Sequence, residues 1–193
     1  TEVSFSPDGT LLATQQHRYE QPVKLWDTRS GALIGETPIL PRTDYYRGDL
    51  AFSANGRFLV TQSRNEIAVW SVPKVQSIAR LRHADSISSF SLSPDGRYIA
   101  VQSEPEVLVW DWRRERPMLR IEDVDEMRFT AGGTRLVAVH KDDSVRVWQV
   151  RTEDLVADAC SRLARNLTAA EWRSYLGTED YRESCPRLPV PRR

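Results

Sequence analysis

Residues 90–111 read FSLSPDGRYIAVQSEPEVLVWD, and the order of residue types in this stretch decides the fold. Phe90 and Leu92 alternate with serines, as in a strand with one apolar face. Ser93-Pro94-Asp95-Gly96 then interrupts the pattern. An Asp-Gly pair accepts positive φ at low cost, which a two-residue hairpin turn demands. Tyr98-Ile99-Ala100-Val101 is continuously apolar, the mark of a strand covered on both faces. Val107 and Val109 alternate again, and the stretch closes on Trp110-Asp111.

The same order recurs on both sides. Trp26, Trp70, Trp110 and Trp148 stand 44, 40 and 38 residues apart. Upstream of the other three lie Ser6-Pro7-Asp8-Gly9, Ser53-Ala54-Asn55-Gly56 and Thr130-Ala131-Gly132-Gly133. Apolar pairs precede each turn (Val3 and Phe5, Leu50 and Phe52, Met127 and Phe129), and apolar runs follow it. A weaker fourth strand is expected around Leu33-Ile34, from Ile78 to Leu81, and from Met118 to Ile121. Each unit is therefore a small antiparallel meander, and a repeat of this length identifies the architecture before any single element does. The expected units run over about 1–40, 48–83, 87–123 and 125–150, the last one strand short.

Lys24-Leu25-Trp26-Asp27, Val109-Trp110-Asp111 and Val147-Trp148-Gln149, each following a Pro-Asp-Gly-like turn, resemble WD-repeat propeller blades. That family arranges four-stranded blades radially around a channel. The resemblance covers residues 1–151 and implies an all-β arc of four blades. It departs from the family pattern in detail. Trp-Asp becomes Trp70-Ser71 and Trp148-Gln149, and the family's Gly-His survives only as Arg82-His83. The family's hairpin acid matches Asp142 but is Glu104 and Arg64 in two other units. Closed rings of this family usually hold six to eight blades, so these four are expected to be the C-terminal part of a longer propeller. A self-paired ring of two chains is the alternative.

From Thr152 the period changes. Leu155, Val156, Ala159, Cys160 and Leu163 share one helical face, with Arg162 and Arg165 opposite, so a helix is expected over 153–165. Thr168-Ala169-Ala170-Glu171 is a capping box opening a second helix over 169–176, which Gly177 stops. Helices this short need tertiary support, which packing of Leu155, Ala159, Leu163 and Trp172 onto the blades would supply. Residues 152–193 thus form a helical tail with a Pro-rich end at Pro186, Pro189 and Pro191. The run from Ala159-Cys160 through Asn166-Leu167-Thr168, Glu171-Trp172 and Tyr175-Leu176 to Cys185-Pro186 is similar to a tail found in bacterial WD-repeat proteins. That similarity implies an upstream effector: a STAND-type NTPase, a caspase-like protease or a protein kinase.

Composition excludes several classes. Lys+Arg 27 balance Asp+Glu 27, and residues 1–151 are balanced among themselves, so a phosphate-neutralising nucleic-acid binder is not expected. No apolar run approaches the ~20 residues that cross a bilayer, and no charged-then-apolar signal opens the chain, so no membrane partner is expected and a cytoplasmic location is. No Gly-x-Ser-x-Gly elbow, Walker-type loop, His-Glu-x-x-His or Cys-x-x-Cys occurs. No catalytic, cofactor-binding or metal-binding residue is therefore assigned. His17, His83 and His140 lack ligand partners at metal spacing, and the repeat register makes Trp26, Trp70, Trp110 and Trp148 structural. Cys160 reads as a buried thiol in a reducing compartment, with pairing to Cys185 the alternative. Asn166-Leu167-Thr168 reads as a helix-joining turn rather than a glycan site.

What remains is surface. The first hairpin is three residues longer than the second from Gly to Trp, and carries Arg18 and Tyr19. The next connection holds Arg42, Tyr45, Tyr46 and Arg47. Arg and Tyr are enriched at protein hot spots, so these six residues are the candidate partner-binding rim, for another protein or for upstream domains of the same polypeptide. The expected function is a non-catalytic interaction or sensor propeller. The alternative is the propeller of a hydrolase, peptidase or TolB-like protein, because Ser-Pro-Asp-Gly turns occur there too.

Overall fold

The computed structural model describes residues 2–16, 21–38, 49–177 and 180–190. The chain divides into two compact units, Thr1–Trp148 and Gln149–Arg193.

Among the described residues the first unit holds four antiparallel sheets, and in each the strands lie in sequence order. The first sheet is β1 (Glu2–Phe5), β2 (Leu11–Gln15), β3 (Lys24–Asp27) and β4 (Leu33–Glu36). The second is β5 (Leu50–Phe52), β6 (Phe58–Gln62), β7 (Glu66–Ser71) and β8 (Gln76–Arg82). The third is β9 (Ser89–Leu92), β10 (Tyr98–Ser103), β11 (Glu106–Asp111) and β12 (Arg116–Glu122). The fourth has three strands, β13 (Val124–Phe129), β14 (Arg135–His140) and β15 (Val145–Gln149). We refer to these propeller-like sheets as blades 1 to 4.

The β1–β2 type turn is longer than the expected two residues. Only the glycine takes positive φ, at 70°, 67°, 66° and 66° for Gly9, Gly56, Gly96 and Gly133. Four residues lie between the closing pair because a serine braces them. The Ser93 hydroxyl donates to the Asp95 carboxylate at 2.6 Å and accepts the Tyr98 amide at 2.8 Å. Ser6 and Ser53 repeat the device with Asp8 and Asn55.

Period two puts alternate residues of a strand on opposite faces. In blade 2, Leu59 pairs with Trp70 and Thr61 with Ala68, so these four share a tryptophan face. Val60, Ile67 and Val69 lie on the opposite face. Ala13 and Leu25 of blade 1 cluster with Leu59, Ala68 and Trp70, and Val60, Ile67 and Val69 cluster with Ile99 and Val101 of blade 3. Both interfaces therefore join the far face of one blade to the tryptophan face of the next, and the burial of Ala100, Val107 and Val109 in blade 3 and of Leu136 and Ala138 in blade 4 fits the same order. This explains burial along the second strands. β10 is buried throughout, whereas β14 alternates because the far face of blade 4 is open.

The second unit holds α1 (Thr152–Arg162) and α2 (Ala169–Leu176). Helix α1 is shorter than expected, since Leu163 is already extended (φ −96°, ψ 145°). It buries no residue, and Leu155, Val156 and Leu163 are about half exposed, so its apolar face lacks the cover expected of it. Cys160 is not a buried thiol. It is disulfide-bonded to Cys185, whose Cα lies 5.6 Å away. Asn166 is more than a turn residue: it is 4% exposed and its amide donates to the carbonyls of Cys185 and Leu188. Both amide protons are thereby used, which leaves none free for a glycan.

Candidate interaction rim

The connections between blades and the β2–β3 type hairpins share one rim, and hydrogen bonds tie them together. In blade 2 the hairpin carbonyls of Asn65 and Arg64 accept the amides of His83 and Ile87 at 2.8 and 2.6 Å. In blade 3 the Pro105 carbonyl accepts the Asp123 amide at 2.8 Å, and Lys141 of the next hairpin donates to Asp123. Two buried glutamines at equivalent strand positions extend this pattern. Gln62 Nε2 donates to the Ile87 carbonyl, and Gln102 Nε2 to those of Val124 and Asp125. Each reaches the first residues of the following blade. Val139 takes this place in blade 4.

Several charged side chains described on the rim are paired. Glu66 meets Arg80 at 2.9 Å and Arg82 at 3.2 Å, and its equivalent Glu106 meets Arg120 at 3.1 Å. Hydrogen bonds from Ser144 hold the Asp142 carboxyl below the usual carboxylate range, and Arg146 lies 3.3 Å away. A polar cleft opens between β12 and the β14–β15 hairpin, lined by Glu122, Asp123, His140 and Lys141 among others. On the opposite rim two arginines are engaged. Arg113 stacks 4.6 Å over Trp112, and Arg114 lies 3.6 Å from Asp111.

Arg18, Tyr19, Arg42, Tyr45, Tyr46 and Arg47 lie outside the described residues. The roots of the two stretches that carry them are described, and they are joined. Val23 donates its amide to Thr37 Oγ1 at 3.0 Å, and the Thr37 amide returns to the Val23 carbonyl at 2.9 Å. Both residues are buried. At the far end of the second stretch, the Asp49 carbonyl accepts the Gln62 amide at 2.9 Å.

Trp26, Trp70 and Trp110 lie opposite Leu12, Leu59 and Ile99, the second residues of their partner strands, and Trp148 holds the same place in the repeat on β15, but the four are not equally satisfied. Trp26 and Trp70 donate Nε1–H to Thr14 and Thr61, each at 2.9 Å. The equivalent residues in blades 3 and 4 are Val101 and Ala138, and the indole nitrogens of Trp110 and Trp148 are buried without a partner. Sequence reasoning missed Trp112. It is buried, donates to the Gly96 carbonyl and packs edge-on to Phe58 at 5.2 Å. It lies outside the repeat register, so the spacing carries no sign of it. Among the described residues no three His, Cys, Asp or Glu side chains group as a metal site. No described helix is long and apolar enough to cross a membrane.

Comparison with known proteins agrees with this geometry. The model of the WD domain, G-beta repeat, matches residues 75–111, from the outer strand of blade 2 through the third strand of blade 3. Among curated proteins none matches. The chain is similar to Kuenenia stuttgartiensis hydrazine synthase, with TM-score 0.59 and 22% identity over 76% of this chain. It spans 45% of that chain's length. At that identity the likeness carries the fold alone, and the enzyme's chemistry does not follow from it.

Proposed function

We propose that the blades are a non-catalytic interaction platform, the C-terminal part of a larger bacterial signalling or defence protein. In this reading they act in the cytoplasm and bind a protein partner or upstream domains of the same polypeptide. An effector of the STAND NTPase, caspase-like or kinase type would be the regulated partner. The observation that carries the reading is the WD repeat over 75–111, set in four sheets that repeat one strand order. Rigid sheets let loops vary at little cost in stability, so recognition collects in them.

The binding surface is assigned to Arg18, Tyr19, Arg42, Tyr45, Tyr46 and Arg47. The joined roots at Val23 and Thr37 support this, because they hold the two stretches side by side at their bases. Arg offers planar bidentate hydrogen bonding and Tyr a large stiff contact area. The test replaces Tyr45, Tyr46 and Arg47 by Ala in the complete protein. Partner capture or effector control is lost while the melting temperature is unchanged. If capture and control both persist, the rim is ordinary solvated surface and recognition lies elsewhere.

A further inference from the structure

The helical unit is fastened in two ways that act on different parts of it. Noncovalent bonds hold residues 165–190. Asn166 receives the Cys185 amide at 3.0 Å and donates to two carbonyls of the same segment, and its own amide donates to Pro189. Thr168 and Glu171 close a capping box, Arg165 grips Glu171 at 2.8 Å, and Trp172 is buried edge-on to Tyr181 at 5.7 Å. None of these bonds involves α1. That helix has 11 residues, no buried side chain and no side-chain N-cap. An isolated helix of this length is marginal in water. What ties α1 covalently to the segment beside it is the Cys160–Cys185 bond.

The two sulfurs sit in unlike surroundings. Cys185 is 3% exposed and lies within the Asn166 clamp. Cys160 is on the exposed helix, and both cysteines line an open groove with Val156, Ala157, Pro186 and Leu188. An incoming thiolate therefore has access from the Cys160 side.

From this arrangement we infer that the Cys160–Cys185 disulfide is a redox switch for the order of α1. The thiolate of a dithiol reductant attacks Cys160 Sγ, and the Cys185 thiolate leaves and takes a proton. The reductant's second thiolate then attacks its own sulfur in the mixed disulfide, expelling the Cys160 thiolate, which is protonated in turn. The protein gains two electrons and two protons, and the reductant becomes a disulfide. Reduction frees α1 to unwind, while the Asn166 clamp keeps residues 184–189 in place. A purely structural bridge would hold the whole unit, whereas this one ties α1, which buries no side chain, to the Asn166 clamp. The inference does not rest on the proposed function, because its readout lies wholly within residues 149–190.

The experiment compares amide exchange of the complete chain with and without dithiothreitol, with alkylation to count thiols. Exchange over 154–162 accelerates at least tenfold on reduction, while 169–176 is unchanged and two thiols become reactive. Cys160→Ser reproduces the reduced pattern without reductant. Across glutathione buffers of graded reduced-to-oxidised ratio, the protein passes from oxidised to reduced within that series. Unchanged exchange in α1, or loss of protection across 165–190 as well, would overturn the inference. So would a disulfide that resists every glutathione ratio, or two free thiols in the air-oxidised protein.

Discussion

Equivalent residues in different blades act as internal controls for one another. Thr61 accepts the Trp70 indole N–H inside the protein, whereas Val101 leaves the Trp110 nitrogen without an acceptor. Removing one partner of a buried hydrogen bond costs the desolvation of the other. Thr61→Val should therefore destabilise by about 1–3 kcal/mol, and Val101→Thr should be neutral or stabilising, read from chemical denaturation of each variant. A second control lies in the turns after the third strands. Gly31 takes φ 71° in blade 1, where exposed Glu115 is forced to φ 51° in blade 3. Left-handed backbone costs an L-residue more than glycine, so Glu115→Gly should raise stability by about 0.5 kcal/mol. A lower melting temperature would show that the Glu115 side chain contributes more than its backbone costs. In the tail, Arg165 and the Thr168 amide pull the Glu171 pKa down from 4.5 to about 2. The folded value lies below the unfolded one, so the stabilisation is present above pH 4.5 and is lost as pH falls toward 2. Amide protection at the start of α2 should decline over that window, and a flat profile would show the pair to be idle.

At the scale of elements, strand identity was legible because period two recurs four times in one register with a turn and a tryptophan. Buried strands and helices look alike in short apolar runs, and the repeat removed that ambiguity. The fourth strand was legible only as weak apolar pairs, since its outward face is solvated, as Ile78 at 43% exposure shows. Two features of the site were less accessible. Disulfide pairing is a distance between residues 25 apart in sequence, which neither composition nor periodicity encodes. Gln15, Gln62 and Gln102, by contrast, left a sign: each is a polar residue at the end of an apolar run, and all are buried. That sign becomes meaningful once the strand ends are seen to face the next blade. Gln102 donates to two carbonyls, so Gln102→Leu strands the buried Val124 acceptor and the half-buried one of Asp125 where blade 4 begins. The expected cost is about 1–3 kcal/mol, with amide exchange accelerating first in β13. Loss spread evenly over blades 1 to 3 would show that Gln102 serves its own sheet and not the junction.

Across the blade unit, the interfaces of blades 1 with 2 and 2 with 3 join a far face to a tryptophan face, and the two terminal blades each leave one such face uncovered. Val3 and Phe5 border the tryptophan face of blade 1 and are 57% and 60% exposed. Val145 and Val147 lie on the far face of blade 4 at 63% and 57%. Neighbouring blades cover the same positions elsewhere: Ile67 and Val69, the equivalents of Val145 and Val147, are at most 1% exposed. Apolar surface of this kind, next to the unpaired edge of β15, favours association with whatever complementary surface is available. A polypeptide of these residues expressed by itself should therefore self-associate as its concentration rises, seen as a growing mass in light scattering. Val145→Lys with Val147→Lys should reduce that growth while leaving the melting temperature nearly unchanged, because side chains already more than half exposed contribute little burial. Lysine is chosen because a charge on an open edge disfavours strand addition as well as face-to-face packing. If the double variant melted several degrees lower, these valines would be part of the unit's own core and the far face of blade 4 would not be open. If the mass stayed that of one chain at high concentration in the unaltered protein, exposed valine and phenylalanine at the terminal blades would be tolerated surface, with no neighbour required.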